Sequence, residues 1–234
     1  MLNIINGVTQ RELQVLDMEI LIRRPEVEKF RLGVDIDNVT ANSSQLLVDI
    51  LRRRGFWDIE RDHITRRPFH ESPRFMELGI SREVVSKVLD GLWEYEFGRI
   101  ELMDKRIGRI IDGLRAKNIS IDIITTMGAR NPLMRPNLEV WLQGKGIIYD
   151  TVSFVSGNSE KAEAGLHTIV DDEEGLAKLL SAKGKPGIIY DAPWNRKFVE
   201  DLRLEGRRNP LIYTVRNWEE LGTVVEELNK AFRS

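Results

Sequence analysis

The spacing of apolar residues changes several times along the chain, and the changes divide it into predicted strands and helices. An apolar run between Arg31 and Asp35 lacks helical spacing and predicts a buried strand. This strand ends in two aspartates, Asp35 and Asp37. After Asn42 the spacing becomes helical. The apolar residues on one face of this predicted helix are Leu46, Leu47, Ile50 and Leu51.

A mainly helical region follows the first strand. The first helix is predicted to stop at Gly55, directly after the basic run Arg52–Arg54. Cations suit the negative end of a helix dipole, and a phosphate-binding role for this run is the alternative. Ser81 is a predicted N-cap for a second helix, and a third helical pattern ends at Leu114. Residues 43–115 are therefore predicted to form a helical module inserted between the first strand and the rest of a sheet.

From Asn118 onward, strand and helix patterns alternate with short links. The predicted strands are Ile119–Thr125, Thr151–Val155, His167–Val170, Gly187–Tyr190 and Leu211–Val215. Trp218–Phe232 reads as an amphipathic helix that closes the chain. Such alternation predicts an α/β fold of three layers, in which helices cover both faces of a parallel sheet. The sheet-containing core is expected to comprise residues 31–42 and 116–234.

Residues 1–30 precede the first predicted strand and mix apolar residues with charges. This pattern predicts a helical extension with ragged ends. The extension could pack on the core or on a second subunit, which leaves a homodimer open.

The composition and net charge of the chain limit the classes of molecule that it is expected to bind. The 234 residues include 35 Lys and Arg against 37 Asp and Glu, so the net charge of −2 gives no general attraction to nucleic acid or to a membrane surface. No apolar stretch approaches the ~20 residues of a membrane span and the N-terminus is unlike a signal peptide, so a cytoplasmic location and a small partner are expected. The absence of cysteine excludes disulfides, thiolate zinc sites and cysteine nucleophiles. His63, His70 and His167 lack metal-ligand spacing and are expected to be ordinary surface or hydrogen-bonded residues.

Polar side chains follow four of the predicted strands, at or just beyond the point where each strand ends. In chain order they are Asp35 and Asp37, Thr125 and Thr126, Lys161, and Asp171 and Asp172. Taken singly, each could be a helix cap or a solvated charge. The carboxyl ends of parallel strands meet at one edge of a sheet, where α/β proteins bind their ligands. The joint pattern therefore favours an active site.

This order of motifs resembles that of the haloacid dehalogenase-like hydrolases. Their signature is Asp-x-Asp after the first strand, then a Thr or Ser, a Lys and an acidic pair. Within that superfamily the chain looks most like the 5′(3′)-deoxyribonucleotidase type, also called the cytosolic 5′-nucleotidase C type. The residues that carry this finer resemblance are Asp35–Asn42, Asp62–Thr65, Phe75–Gly79 and Ile189–Arg196. The resemblance covers about residues 31–216 and implies a Rossmann-like core with residues 43–115 as a helical cap.

Three departures from the nucleotidase pattern concern the substrate and leave the catalytic motifs intact. Asn38 stands where these nucleotidases usually have Gly, and Asn42 stands where Asp is common. The segment Glu101–Asp104 lacks the Pro-rich turn usually seen before the helix that returns to the core.

The resemblance implies that the protein is a magnesium-dependent phosphatase that acts through an aspartyl-phosphate. Asp35 would be the nucleophile. Asp37 would protonate the leaving oxygen and then activate water. Thr125 would hydrogen-bond to a phosphate oxygen, and Lys161 would offset negative charge.

Ligands for the metal and the substrate are also implied by the resemblance. Asp35, the backbone carbonyl of Asp37 and an acid of the Asp171–Asp172 pair would bind Mg²⁺, which prefers oxygen ligands. Further contacts to the substrate would come from Thr126, Asn195 and Arg196.

Aromatic residues in the insertion favour a nucleoside monophosphate as the substrate, because a base needs apolar walls. They are Phe56, Trp57, Phe69, Phe75, Trp93, Tyr95 and Phe97, with Trp194 on a later loop. Most of them are expected to be cap core. The alternative substrates are a sugar phosphate or another small phosphoester.

Two alternatives belong to other functional classes. A phosphoacceptor signalling domain also places Asp, Thr and Lys at strand ends, but the acidic pair and the long insertion fit it poorly. A non-enzymatic binding module with the same fold would be expected to have lost at least one of the four motifs.

Overall fold

The computed structural model describes residues 28–127, 134–204 and 209–234. Most of the predicted N-terminal extension, residues 1–27, lies outside these ranges. Within them, no helix has both the length and the apolar character that a membrane span requires.

The predicted parallel sheet is confirmed. Within the described residues, six strands form one sheet in the order β3-β2-β1-β4-β5-β6, and all neighbours are parallel. The strands are β1 Phe30–Val34, β2 Ile119–Thr125, β3 Thr151–Phe154, β4 Thr168–Asp171, β5 Gly187–Tyr190 and β6 Ile212–Val215. Each begins and ends within one residue of its predicted bounds. The four inner strands are buried almost completely on both faces, and such strands produce short, nearly continuous apolar runs.

Helices connect the strands and cover the sheet. The helices between β1 and β2, together called the helical insertion, are α1 Ser43–Arg53, α2 Pro73–Glu77, α3 Arg82–Tyr95 and α4 Ile107–Ala116. The later helices are α5 Met134–Gly144, α6 Asn158–Glu163, α7 Glu174–Ala182, α8 Arg196–Leu204 and α9 Trp218–Arg233. Single 3₁₀ turns occur at Arg61–His63, Phe69–Glu71 and Phe97–Arg99. This is the α/β three-layer fold that the sequence predicts.

Strand β1 lies in the middle of the sheet, between β2 and β4. Its Leu32 and Val34 are fully buried. Gly33 allows a close approach at this point, since a Cβ atom there would lie 2.6 Å from Cδ1 of Leu166. The chain leaves the carboxyl end of this central strand at Asp35, which places that residue at the middle of the sheet edge.

In the helical insertion, α1 packs against α3, and α4 packs against β2 and the final helix α9. The hydroxyl of Ser81 accepts a hydrogen bond from the backbone N–H of Val84 at 3.4 Å, as its predicted N-cap role requires. At the basic end of α1, Arg52 donates to the carbonyl of Ile59 at 2.7 Å, which favours a structural role for this arginine. The insertion thus begins and ends against the sheet-containing core.

Candidate active site

A buried lysine joins two of the strand-end aspartates. Asp35 follows β1, Asp171 ends β4, and Lys161 comes from the short helix α6. The ammonium of Lys161 donates to Oδ1 of Asp35 at 2.7 Å and to Oδ2 of Asp171 at 2.6 Å. All three side chains are almost fully buried, so the charges interact in a medium of low polarity. The lysine holds the two carboxylates in a fixed relation to each other.

Asp35, Asp171 and Asp172 each offer a carboxylate oxygen to one small cluster, and these oxygens lie within 4.8 Å of one another. Within the described residues, Oδ1 of Asp172 is buried and has no hydrogen-bond partner. A buried acceptor without a donor is costly unless a cation or another group satisfies it. Oxygen ligands so close together fit a hard divalent cation such as Mg²⁺.

Burial dominates the electrostatics of these carboxylates. It raises the pKa of Asp35 to about 7; the ammonium of Lys161 opposes this shift, and the charge of Asp171 adds to it. Burial also raises the pKa of Asp172 well above its ordinary value, although the guanidinium of Arg67 opposes the effect. The cluster therefore has more buried negative charge than its neighbours neutralise, as expected of a site that binds a cation.

The lysine stays charged in this setting. Burial alone would favour its neutral form, but the charges of Asp35 and Asp171 outweigh that effect and raise the pKa of Lys161 above its ordinary value. Lys161 is therefore a permanent cation beside the nucleophile candidate.

The loop after β1 has a defined conformation. The hydroxyl of Thr40 donates to the carbonyl of Asp35 at 2.9 Å. Asn38 has a φ of 63°, in the left-handed region that Gly and Asn tolerate best. Its Oδ1 accepts a hydrogen bond from the backbone N–H of Ser44 at 3.0 Å, at the start of α1. Asn38 thus turns the loop and satisfies a helix N-terminus, which explains why a residue other than Gly is accommodated here.

Arg67 of the helical insertion also contacts the carboxylate cluster. It donates to Oδ2 of Asp172 at 2.6 Å and to Oε1 of Glu173 at 2.9 Å. Its guanidinium carbon lies 5.3 Å from the ring centre of Phe69 and 5.0 Å from that of Trp194. The faces of these two rings and the two carboxylates together hold the guanidinium in one place.

A cavity of about 900 Å³ lies between the helical insertion and the sheet edge, and it opens onto Asp37. Its apolar lining includes Phe69, Leu89, Trp93, Met127 and Met134. Arg67, His70 and Arg82 bring positive or titratable groups to the same space. The cavity is large enough for a small organic molecule and combines apolar walls with polar groups, as ligand sites do.

No protein family model and no curated protein sequence matches this chain. Solved structures do match it. A haloacid dehalogenase-like family hydrolase from Streptococcus pneumoniae has a TM-score of 0.54 at 13% identity, over 84% of this chain and 98% of that chain. A HAD family hydrolase from Deinococcus radiodurans with bound phosphate and sodium has a TM-score of 0.55 at 14% identity, over 86% of this chain and 96% of that chain. The chain has the fold of the haloacid dehalogenase-like hydrolases.

A third structure, of a phosphonoacetaldehyde hydrolase-like protein from Oleispira antarctica, has a TM-score of 0.53 at 14% identity, over 86% of this chain and 93% of that chain. The Deinococcus radiodurans protein holds phosphate and sodium, whereas the Oleispira antarctica protein is similar to a phosphonoacetaldehyde hydrolase. The haloacid dehalogenase-like fold therefore leaves the chemistry of this chain to be argued from its own residues.

Two consecutive threonines stand at the carboxyl end of β2, Thr125 as its last residue and Thr126 directly after it. Thr125 is buried, and its hydroxyl oxygen accepts a hydrogen bond from the backbone N–H of Met127 at 3.1 Å. Among the described residues, none accepts a hydrogen bond from the Thr125 hydroxyl, whose proton could be donated to a ligand. Thr126 is exposed and lines the cavity.

The two other predicted substrate contacts lie elsewhere. Asn195 is buried, and its side chain donates to the carbonyl of Asp172 at 2.8 Å and to that of Tyr190 at 2.9 Å. Its Oδ1 accepts from the backbone N–H of Ala192 at 2.9 Å, so Asn195 braces the loop that carries Asp172. Arg196 is half exposed and lies 3.8 Å from Asp62 of the helical insertion.

Sequence reasoning missed Arg67 and gave Trp93 only a general place among the aromatic residues. The indole N–H of Trp93 donates to Oδ1 of Asp37 at 3.2 Å. Asp37 uses its side chain in this contact, and its carboxylate is not part of the three-aspartate cluster. The run of basic and aromatic residues around Pro68 is the one sequence signal that could have drawn attention to Arg67.

Proposed function

We propose that this protein is a magnesium-dependent phosphatase that hydrolyses a small phosphomonoester through an aspartyl-phosphate. The observation that carries the proposal is the position of the Lys161 ammonium between Asp35 and Asp171, beside the carboxylate cluster and at the carboxyl edge of a haloacid dehalogenase-like sheet. A lysine buried between two acids satisfies both of them and offsets charge when a phosphate arrives.

In the first step, an oxygen of Asp35 forms a bond to phosphorus while the bond from phosphorus to the ester oxygen breaks. Lys161 remains charged and offsets the negative charge of Asp35 and of the phosphoryl group. The hydroxyl of Thr125 donates a hydrogen bond to a phosphate oxygen.

The leaving oxygen receives a proton from the carboxylic acid form of Asp37. In the second step, the carboxylate of Asp37 takes a proton from water as the water oxygen attacks phosphorus. The bond between Asp35 and phosphorus then breaks, which releases inorganic phosphate and restores the enzyme.

Asp35, Asp171 and Asp172 would hold Mg²⁺, together with the backbone carbonyl of Asp37. When bound, the cation supplies charge screening between an anionic nucleophile and an anionic substrate. The unpartnered oxygen of Asp172 supports its role as a ligand.

We further propose that the helical insertion acts as a cap that excludes water and shapes the pocket for the leaving group. Its Phe69 and Trp93 line the cavity beside Asp37. Because flat apolar walls suit a nucleobase, the proposed substrate is a ribo- or deoxyribonucleoside monophosphate, in the manner of a 5′-nucleotidase. The second candidate substrate is a sugar phosphate, because polar groups in the same cavity could bind its hydroxyls.

The test is phosphate release by the purified protein with Mg²⁺. Ribo- and deoxyribonucleoside monophosphates are compared with a panel of sugar phosphates, and Asp35→Asn serves as the control for a contaminating phosphatase. A preference for nucleotides supports the whole proposal. A preference for sugar phosphates would overturn the nucleotidase assignment and leave the phosphatase mechanism standing. Equal activity in the wild-type protein and in Asp35→Asn would refute the mechanism.

A further inference from the structure

The indole of Trp93 is the contact between the helical insertion and Asp37. Trp93 lies near the end of α3 and is 2% exposed. Its N–H donates to Oδ1 of Asp37 at 3.2 Å, across 56 residues of sequence. Within residues 28–127, 134–204 and 209–234, no other donor forms a hydrogen bond with this carboxylate. The orientation of the Asp37 side chain therefore depends on Trp93.

Contacts with helix α5 fix the position of Trp93 itself. The side-chain amide of Asn137 donates to the backbone carbonyl of Trp93 at 2.9 Å. The rings of Trp93 and Trp141 meet edge to face, with centres 5.5 Å apart. Trp141 is in turn held by a hydrogen bond from its indole to the carbonyl of Ile100 at 2.9 Å. The donor to Asp37 is thus anchored on the core, and it cannot swing away without breaking these contacts.

The direction of the hydrogen bond distinguishes the two oxygens of Asp37. A protonated carboxyl group has one hydroxyl oxygen and one carbonyl oxygen. An indole N–H can only donate, and the carbonyl oxygen is the stronger acceptor of an acid group, so the contact with Trp93 favours the form in which Oδ1 is the carbonyl oxygen. The transferable proton of the acid form then resides on Oδ2.

We propose that Trp93 is a positioning residue for proton transfer, which holds Asp37 by Oδ1 so that Oδ2 delivers the proton to the leaving oxygen. The inference rests on the proposed phosphatase function. In the first step, the O–H bond of Asp37 breaks as the ester oxygen leaves phosphorus and takes the proton. In the second step, the same oxygen receives a proton from the attacking water. In this scheme the indole N–H of Trp93 contacts neither the leaving oxygen nor the phosphoryl group, and it acts on the proton through Asp37.

The test uses the sensitivity of the first step to the basicity of the leaving group. A weakly basic leaving group such as 4-nitrophenolate departs without a proton, whereas an alkoxide needs one. Trp93→Phe keeps an aromatic ring and removes the N–H. We expect kcat/KM to fall by roughly tenfold to a hundredfold for alkyl phosphates, which reaches the lower end of the ~10²–10⁴-fold that a general acid contributes, and by less than about threefold for 4-nitrophenyl phosphate. A plot of log kcat/KM against leaving-group basicity should become steeper.

Trp141→Phe is the matched control. This substitution also removes a buried indole N–H and disturbs the same pair of rings, but residue 141 does not contact Asp37. For Trp141→Phe, the slope of log kcat/KM against leaving-group basicity should equal that of the wild-type protein. Replacement of Trp93 by benzothienylalanine keeps the size of the double ring and removes only the donor, so it decides the matter if Trp93→Phe folds poorly.

A double-mutant cycle completes the experiment. In an Asp37→Asn background, Trp93→Phe should change kcat/KM for alkyl phosphates by less than about twofold, because the group through which it acts is gone. An equal loss for all leaving groups, or an undiminished effect in the Asp37→Asn background, would show that Trp93 supports packing alone. An inactive wild-type protein would instead refute the phosphatase function on which the inference rests.

Discussion

The guanidinium of Arg67 lies 2.6 Å from the carboxylate of Asp172, so a residue of the helical insertion is paired with a residue of the proposed metal site. The guanidinium also lies over the rings of Phe69 and Trp194. A divalent cation bound by Asp172 would face this positive charge at short range. The ion pair between Arg67 and Asp172 is therefore expected to weaken binding of the cation, and bound cation is expected to weaken the ion pair by the same free energy.

Arg67→Met should bind Mg²⁺ roughly tenfold more tightly than the wild-type protein, because the variant removes a repulsive charge and keeps an apolar side chain beside the two rings. Isothermal titration calorimetry without substrate measures this affinity. Arg196→Met provides the control, since Arg196 also faces the helical insertion but pairs with Asp62 outside the cluster. Weaker binding in Arg67→Met would mean that Arg67 orients Asp172 and does not compete with the cation.

Asp35→Asn should abolish turnover and raise stability at alkaline pH. Burial raises the pKa of Asp35 from 3.8 to about 7, so ionisation costs more in the folded protein than in the unfolded chain. This penalty is absent below about pH 4, grows as pH rises toward 7 and then stays constant; it is on the order of a few kcal/mol. In a chelator, the melting temperature of Asp35→Asn should exceed that of the wild-type protein at pH 8 and approach it near pH 5. A difference that did not depend on pH would contradict the assigned cause.

Chelation should remove activity, and Mg²⁺ should restore it. The cluster contains carboxylate oxygens and neither of the nitrogen or sulfur ligands that favour zinc. Because a ligand that binds the folded state stabilises it, Mg²⁺ should also raise the melting temperature of the wild-type protein. In Asp172→Asn this rise should be much smaller. Activity that survived exhaustive chelation would exclude the proposed metal role of the acidic pair.

Gly187→Ala should destabilise the fold by about 1–3 kcal/mol, the range for an overpacked core. A Cβ atom at Gly187 in β5 would lie 2.9 Å from the Cα of Ala177 in α7, and backbone cannot move aside as a side chain can. Gly113→Ala in α4 is the counterpart, because its Cβ would have nothing within 4 Å. That variant should gain about 0.5–1 kcal/mol from helix propensity. Urea titrations of both variants measure the two free energies of unfolding.

The part of the site that sequence could anticipate is the part attached to strands. Asp35 and Asp171 sit where apolar runs end, and the rule that parallel strands share a carboxyl edge brings them together before any coordinates are known. Lys161 was predicted through its order among the motifs, and the structure places it between these two acids.

The contacts from the helical insertion could not be predicted in this way. Arg67 and Asp172 are 105 residues apart, and the segment around Arg67 has irregular spacing without a strand or helix to orient it. Trp93 belongs to a well-predicted helix, but whether its indole faces the packed interior or Asp37 depends on how the insertion meets the sheet. Asn195 similarly looks like a ligand residue in sequence, and only the course of its loop reveals that it binds the carbonyl of Asp172.

The central place of β1 has a consequence for how the chain is made. Its neighbours are β2 and β4, with Phe30 opposite Ile119 and Leu32 opposite Thr168. During synthesis, the whole helical insertion is made after β1 and before its neighbour β2. The other neighbour, β4, is made later still. Long-range parallel pairing of this kind forms slowly and leaves apolar surface uncovered meanwhile. The carboxylate of Asp35 can pair with the ammonium of Lys161 only after residue 161 has been synthesised, so shorter nascent fragments lack the counter-charge of the proposed nucleophile.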